Sequence, residues 1–118
     1  MSWNSDVSPQ DLVGFNLLSA ELSNGVITLK TDGYVIEGEP EGDCCSRSWI
    51  EHFENDGGGE ITKFDSSSDG EIDESLSDKY TDVKQYFSTL YTEKGRVTWE
   101  MRNSSNGYYG GWISWRKL

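Results

Sequence analysis

The side chains best suited to nucleophilic, redox or metal chemistry lie close together in one short segment. Cys44 and Cys45 are adjacent, His52 follows seven residues later, and the chain contains no other cysteine or histidine. A thiolate with an imidazole can form a nucleophile and base pair, and both groups bind transition metals. Any such chemistry in this protein is therefore expected within this nine-residue window.

The spacing within the window argues against each of these uses. Adjacent cysteines cannot both coordinate one ion without strain, and no second Cys or His cluster completes a set of four ligands. Redox-active thiols usually have two residues between them, and these have none. We therefore predict free thiols, no catalytic residue, no metal and no cofactor, in a protein that is not an enzyme. The alternative is a small-ligand or metal-binding protein centred on Cys44, Cys45 and His52, which are weak candidates for metal ligands.

A second candidate site is the acidic run from Asp65 to Leu76. It matches an EF-hand calcium loop at six of twelve positions, but the twelfth residue is Leu76 and not the bidentate Glu. Gly57-Gly58-Gly59 also stands where the incoming helix of an EF-hand would run. We therefore predict a flexible acidic loop over residues 65–79 and no calcium site.

Two turn signals organise the first part of the chain. Asn24-Gly25 and Asp32-Gly33 each supply the residue types that two-residue type I′ hairpins favour. They predict a three-stranded antiparallel meander within the first forty residues. The Pro and Gly residues of segment 38–43 then predict an acidic loop that ends the third strand near Glu37.

A change of period follows this loop. Trp49, Ile50 and Phe53 recur at three- and four-residue intervals, which is typical of one face of a helix. The pattern predicts one short helix near 46–55.

The rest of the chain predicts further strands, at residues 60–64, 83–92, 96–102 and 108–117, with a turn over 103–107. Side chains alternate along a strand, so within 96–102 Val97, Trp99 and Met101 are expected on one face, opposite to Arg96, Thr98, Glu100 and Arg102. In the last strand Trp112 and Trp115 are expected on opposite faces for the same reason. The predicted fold is α+β: a mainly antiparallel β-sheet of about six to seven strands with one short helix, in a single compact domain spanning 1–118.

Composition and charge restrict the function classes. Fifteen of the 118 residues are aromatic, which supports a packed core although the apolar fraction is only 34%. The net charge is −11, and residues 1–78 carry 18 acidic and 3 basic side chains whereas residues 79–118 carry 3 and 7. Such a field repels phosphate backbones, so direct nucleic-acid binding is disfavoured and a protein partner with a basic surface is favoured. Solubility alone is the other explanation of this charge.

The chain has no apolar stretch long enough to span a membrane, and its first residues lack the basic and apolar blocks of a signal peptide. We therefore expect a cytoplasmic protein without a membrane partner.

Three short motifs resemble an uncharacterised family of small bacterial and phage proteins. They are Leu12-Val13-Gly14, Gly42-Asp43-Cys44-Cys45-Ser46 and Ser105-Asn106-Gly107-Tyr108-Tyr109. The resemblance implies a compact domain in a phage or prophage setting. Because that family has no assigned activity, the resemblance transfers no catalytic residue.

Together these observations predict a small acidic binding module without catalytic activity, encoded by a phage or prophage. It would inhibit a host or defence protein through protein–protein contact. The residues expected to contact the partner are acidic side chains near the predicted acidic loop and aromatic side chains of the last strand: Glu37, Glu39, Glu41, Asp43, Tyr108, Tyr109, Trp112 and Trp115.

Overall fold

The computed structural model describes residues 7–42, 46–66, 71–72, 82–105 and 111–118, and these form a mainly antiparallel β structure. The strands are β1 (Asn16–Ser23), β2 (Val26–Thr31), β3 (Val35–Gly42), β4 (Arg47–Asn55), β5 (Gly59–Ser66), β6 (Glu71–Ile72), β7 (Asp82–Thr92), β8 (Gly95–Ser105) and β9 (Gly111–Lys117). The helical content of this part of the chain is one 3-10 turn, Pro9–Leu12. No helix within these ranges is long and apolar enough to cross a membrane.

The strands form an antiparallel array in the order β4-β8-β7-β5-β1-β2-β3-β9, with the two-residue β6 beside β7. β1 and β5 share only two residue pairs, so this junction divides the array into two parts. We call β1, β2, β3 and β9 the first half-sheet, and β4 to β8 the second half-sheet. The prediction of a mainly antiparallel sheet is confirmed. The predicted number of six to seven strands is too low, because nine strands are described and eight of them have six or more residues.

The predicted meander is confirmed, since β1 pairs with β2 and β2 with β3, both antiparallel. Asn24 and Gly25 have φ angles of 52° and 79°, as a type I′ turn requires. The second turn is different, because neither of its predicted central residues has a positive φ. Instead the Thr31 hydroxyl accepts the N–H groups of Gly33 and Tyr34 and donates to the Tyr34 carbonyl.

The helix predicted near 46–55 is wrong, because this segment is strand β4. A β-bulge between Ile50 and His52 inserts Glu51 as an extra residue opposite β8. Ile50 and Phe53, three positions apart, therefore both turn toward the core and pack against it. A single bulge thus produces the spacing that a helix would also give.

The same device recurs at the junction of the two half-sheets. Register shifts lie between Leu17 and Ser19 in β1 and between Ile61 and Lys63 in β5. Because of them, inward-facing residues in each strand are separated by three positions: Leu17 and Ala20 in β1, Ile61 and Phe64 in β5. Bulges sharpen strand twist and bend, so three of them help the array to curl over its own inner face.

Several strands are longer than predicted. β3 continues to Gly42, so the segment predicted as an acidic loop after Glu37 is mostly strand. β5 reaches Ser66 and β6 is Glu71–Ile72, so strand structure enters the range 65–79 predicted as a loop. β8 continues through the predicted turn to Ser105. The remaining residues of those predicted loops and turns lie outside the described ranges.

The core lies between the inner faces of the two half-sheets. The first contributes Leu17, Ala20, Ile27, Leu29 and Ile36, and the second contributes Ile61, Leu90, Val97 and Trp99. The Trp99 ring stacks on Phe64, with ring centroids 5.8 Å apart, and meets Trp115 of β9 at the same separation. The predicted alternation of β8 is confirmed in that Val97, Trp99 and Met101 are all buried.

A hydrogen-bonded pair fixes the start of β1 against the turn after β2, and it makes stability depend on pH. Asn16 donates from its side-chain amide to one Asp32 carboxylate oxygen (2.8 Å) and from its backbone N–H to the other (3.0 Å). These bonds, the side-chain one above all, lower the pKa of Asp32 below its usual value. A carboxyl whose pKa is lower in the folded protein stabilises the fold above its unfolded pKa, and this contribution is lost as the pH falls through the folded pKa.

Replacing Asn16 by alanine should therefore move the pKa of Asp32 back toward its usual value. The variant should be less stable than the wild type at neutral pH, and the difference should shrink in acid, once Asp32 is protonated in both proteins. NMR titration of the Asp32 carboxyl and urea unfolding at both pH values would measure these effects. An unchanged Asp32 pKa in the variant would contradict the assignment.

Candidate functional site

The ladder between β3 and β9 brings four of the predicted contact residues, three glutamates and Trp112, to one outer face. Glu37, Glu39 and Glu41 alternate along β3 and pair with Arg116, Ser114 and Trp112 of β9 in turn. We call these six residues the acidic face. Between its two strands lies a shallow cleft of about 140 Å³, lined by the three glutamates, Ser114 and Arg116.

The charges of the acidic face are only partly compensated. Arg116 donates to the Glu37 carboxylate through Nε at 2.9 Å and through Nη2. Among the described residues, Glu39 and Glu41 have no ion-pair partner. Trp112, across from Glu41, is 47% exposed and is therefore the largest apolar group on this face. The face thus presents two uncompensated carboxylates beside an exposed indole.

The other predicted contact residues are placed differently. Trp115 faces the core and packs on Trp99, so it does not belong to the acidic face. The opposite orientation of Trp112 and Trp115 is as the alternation of the last strand predicts. Asp43, Tyr108 and Tyr109 lie outside the described residues.

His52 lies on the outer face of the second half-sheet, and its side chain is 71% exposed. Its Nε2 atom is 3.8 Å from Oε1 of Glu100, the residue opposite it on β8. Cys44 and Cys45 lie outside the described residues, so a metal or ligand site shared by these three residues stays a prediction. Within the described ranges, no three His, Cys, Asp or Glu side chains are grouped as metal ligands.

Glu100 is a functional candidate that sequence reasoning missed, because it is only 6% exposed although it lies on an outer face. One carboxylate oxygen accepts hydrogen bonds from Arg102 Nε (2.6 Å) and Gln85 Nε2 (2.9 Å). Phe87, directly opposite on β7, borders a groove of about 380 Å³ above it. The alternation of β8 places Glu100 on the correct face, but it carries no signal that Arg102 and Gln85 hydrogen-bond its carboxylate.

Arg102 also ties Glu100 to the bulge of β4. Its Nη1 atom is 3.6 Å from Oε1 of Glu51, and the same oxygen accepts the indole N–H of Trp49 at 2.9 Å. The hydrogen bond from Trp49, followed by the charge of Arg102, lowers the pKa of Glu51. The bulge thus bends β4 and also places the ionised carboxylate of Glu51 on the outer surface.

A third feature is a cavity of about 400 Å³ between the inner face of the second half-sheet and β9. Its lining is mainly aromatic and apolar, with Ser8, Ser66 and Ser88 as further members, and it includes Trp112 of the acidic face. The lining side chains used below are Phe64, Tyr86, Trp99, Met101 and Trp115. We call this space the aromatic cavity.

Comparison with known proteins places the chain in a family. Residues 10–115 match the family model described as "Domain of unknown function (DUF7448)". The chain belongs to the DUF7448 family. This confirms that the chain belongs to a family without an assigned function, whereas a bacterial or phage origin and the three motifs as marks of the family stay predictions.

The DUF7448 chain is also similar to "Uncharacterized protein L278" of Acanthamoeba polyphaga mimivirus. The two are 33% identical over 88 residues, which cover 70% of this chain and 68% of the viral protein. No solved structure matches the chain.

Proposed function

We propose that this DUF7448 protein is a noncatalytic binding module that recognises a partner protein with a basic surface through its acidic face. The observation that carries the proposal is the alignment of Glu39, Glu41 and Trp112 on the β3–β9 ladder. Two carboxylates without a cationic partner and an exposed indole are the complement of an arginine or lysine side chain. The carboxylates would accept its N–H groups, and the ring would attract its charge.

The energetics of such a contact favour Trp112 as the centre of the interface. Tryptophan is enriched among the residues that carry most of the binding energy, whereas exposed charge pairs chiefly raise the association rate. Glu39 and Glu41 are exposed, so their contribution should fall as salt is added. Glu37 is already paired with Arg116 and would contribute less.

The position of β9 adds a backbone element to this face. Among the described strands it pairs only with β3, so its other edge has no strand partner within these ranges. An edge of this kind can accept an added strand from another chain. A partner seated on the acidic face could therefore extend along β9.

Inhibition of a host or defence protein is the form of this role that we propose, because the chain has a relative encoded by a virus. Blocking another protein needs a complementary surface and no catalytic group. The small size and acidic charge of this chain suit that task.

Partner capture from the native host tests the proposal. Tagged wild-type protein should retain a basic protein that is released by salt. The Glu39→Gln, Glu41→Gln double variant and Trp112→Ala should each reduce its recovery at least about 10-fold, as expected when a central contact residue is lost.

The matched control is a Glu21→Gln, Glu54→Gln double variant, which removes the same two charges from exposed positions outside the acidic face. It should retain the partner. Equal loss with both double variants would mean that net charge alone drives binding and would reject the acidic face. Retention by all variants would reject it as well.

A further inference from the structure

The aromatic cavity has the properties of a small-molecule site that adjoins the acidic face, because Trp112 belongs to both. Its floor is the inner face of the second half-sheet, where alternate residues of β5, β7 and β8 point toward β9. Its aromatic lining residues are Phe64, Tyr86, Trp99, Trp112 and Trp115, and Ser8 and Pro9 also line it. A space of about 400 Å³ with mostly apolar walls falls in the size range of ligand pockets.

One polar group in this wall lacks a partner. Trp99 is 2% exposed, and its indole N–H has no hydrogen-bond partner in the part of the chain that the structure describes. A buried donor left unpaired destabilises the fold, so such groups are uncommon in folded proteins and call for an explanation. Trp99 lines the aromatic cavity as well as the groove beside Glu100, and the cavity has the more aromatic lining, so an acceptor brought there by a ligand would explain the unpaired donor.

We infer that the aromatic cavity binds an uncharged, planar aromatic molecule that carries a hydrogen-bond acceptor, such as a ring carbonyl, for the Trp99 N–H. An indole nitrogen can only donate, so the ligand must supply the acceptor. No charged side chain of the described residues lines the cavity, which favours a neutral ligand. The surrounding rings favour a flat aromatic body, because stacked and edge-on ring pairs are attractive beyond the area that they bury.

The Trp99 N–H is covered by its neighbours as well as unpaired, so a ligand must displace part of that cover. Trp115 is only partly buried and contacts the Trp99 ring, so its side chain is the one expected to move. Binding should therefore change the environment of both indoles.

Two rigid probes distinguish the contribution of a hydrogen-bond acceptor to binding from that of an aromatic ring. Coumarin is a planar bicycle with a carbonyl acceptor, and naphthalene is a bicycle of similar size without one. The full chain, labelled with ¹⁵N, would be titrated with each while the five indole N–H signals are followed. We expect both probes to shift the Trp99 and Trp115 signals saturably, and only coumarin to move the Trp99 signal in the direction of a stronger hydrogen bond.

Trp99→Phe keeps an aromatic ring and removes the donor. This variant should weaken coumarin binding by about 5-fold, the worth of one neutral hydrogen bond, and leave naphthalene binding within about 2-fold. Phe87→Ala, on the outer face, is the matched control and should change neither affinity.

If neither coumarin nor naphthalene binds saturably at concentrations up to about 1 mM, the inference is overturned. Equal weakening of both probes by Trp99→Phe would overturn the role of the N–H. If that variant does not fold, the wild-type titrations decide the point, because identical Trp99 shifts with the two probes would also contradict the hydrogen bond. None of these outcomes depends on whether the acidic face binds a protein.

Discussion

Replacing Trp99 by alanine should lower the free energy of unfolding by about 3–5 kcal/mol, which is the range for deleting a large aromatic side chain from a core. The ring is 2% exposed and lies among three other rings, with centroids at 6.5 Å for Phe53 and 5.8 Å for Phe64 and Trp115. Phe53 and Phe64 belong to the second half-sheet and Trp115 to the first. The substitution would therefore remove contacts both within the second half-sheet and between the two halves.

Urea unfolding followed by circular dichroism would measure the loss, with Trp112→Ala as the matched control. Trp112 is 47% exposed on the outer face, so its removal should cost less than about 1 kcal/mol. Trp99→Phe should fall between the two, because it keeps a ring and removes an unpaired donor. Similar losses for Trp99→Ala and Trp112→Ala would show that Trp99 does not join the half-sheets.

The contrast between these two tryptophans shows what strand patterning can predict. Alternation in β8 places Trp99 inward, and alternation in β9 places Trp112 and Trp115 on opposite faces. Both predictions need only an unbroken period of two residues. The Asn24-Gly25 hairpin could also be predicted from the sequence, because few dipeptides adopt two positive φ angles.

Bulges are what the sequence patterning could not reveal. In β4 the extra residue Glu51 puts Ile50 and Phe53 on one face at a spacing of three, and periodicity cannot distinguish this from a helix. The information that decides between them is the pairing with β8, which is a long-range contact. Glycine and proline are local signals for the end of a strand, and they predicted an end near Glu37. That prediction is wrong for β3, because Gly38 and Pro40 lie inside the strand.

The candidate site could be predicted from the sequence only in part, as could the fold. The sequence predicted Glu37, Glu39 and Glu41 as contact residues but assigned the last two to a loop, whereas the ladder with β9 gives all three a fixed spacing opposite Arg116, Ser114 and Trp112. The pairing of β3 with β9 joins residues about seventy to eighty positions apart in the sequence, so no local pattern contains it. Burial of Glu100 and formation of the aromatic cavity depend on such pairings as well.

Replacing Arg102 by methionine should destabilise the protein by about 3 kcal/mol, because it leaves the carboxylate of Glu100 covered without its cationic partner. The Glu100 side chain is 8% exposed and that of Arg102 is 17% exposed, so water replaces little of the lost interaction. Gln85 Nε2 remains as a neutral donor at 2.9 Å, and the exposed His52 imidazole is 3.8 Å away. Neither supplies the 2.6 Å charge-assisted bond that Arg102 Nε makes.

Two further variants identify the cause of this loss. Lys63→Met breaks the pair between Lys63 and Asp65, whose side chains are 64% and 53% exposed, and should cost less than about 1 kcal/mol. Glu100→Gln combined with Arg102→Met removes both charges of the covered pair and should recover most of the stability that Arg102→Met loses. Glu51 also loses Arg102 in this variant, but its side chain is 36% exposed and still accepts the Trp49 N–H. Chemical denaturation of the wild type, Arg102→Met, Glu100→Gln and the double variant gives the coupling energy between Arg102 and Glu100. If the double variant is as unstable as Arg102→Met alone, lost packing of the arginine stem is responsible, and the ion pair does not stabilise the outer face.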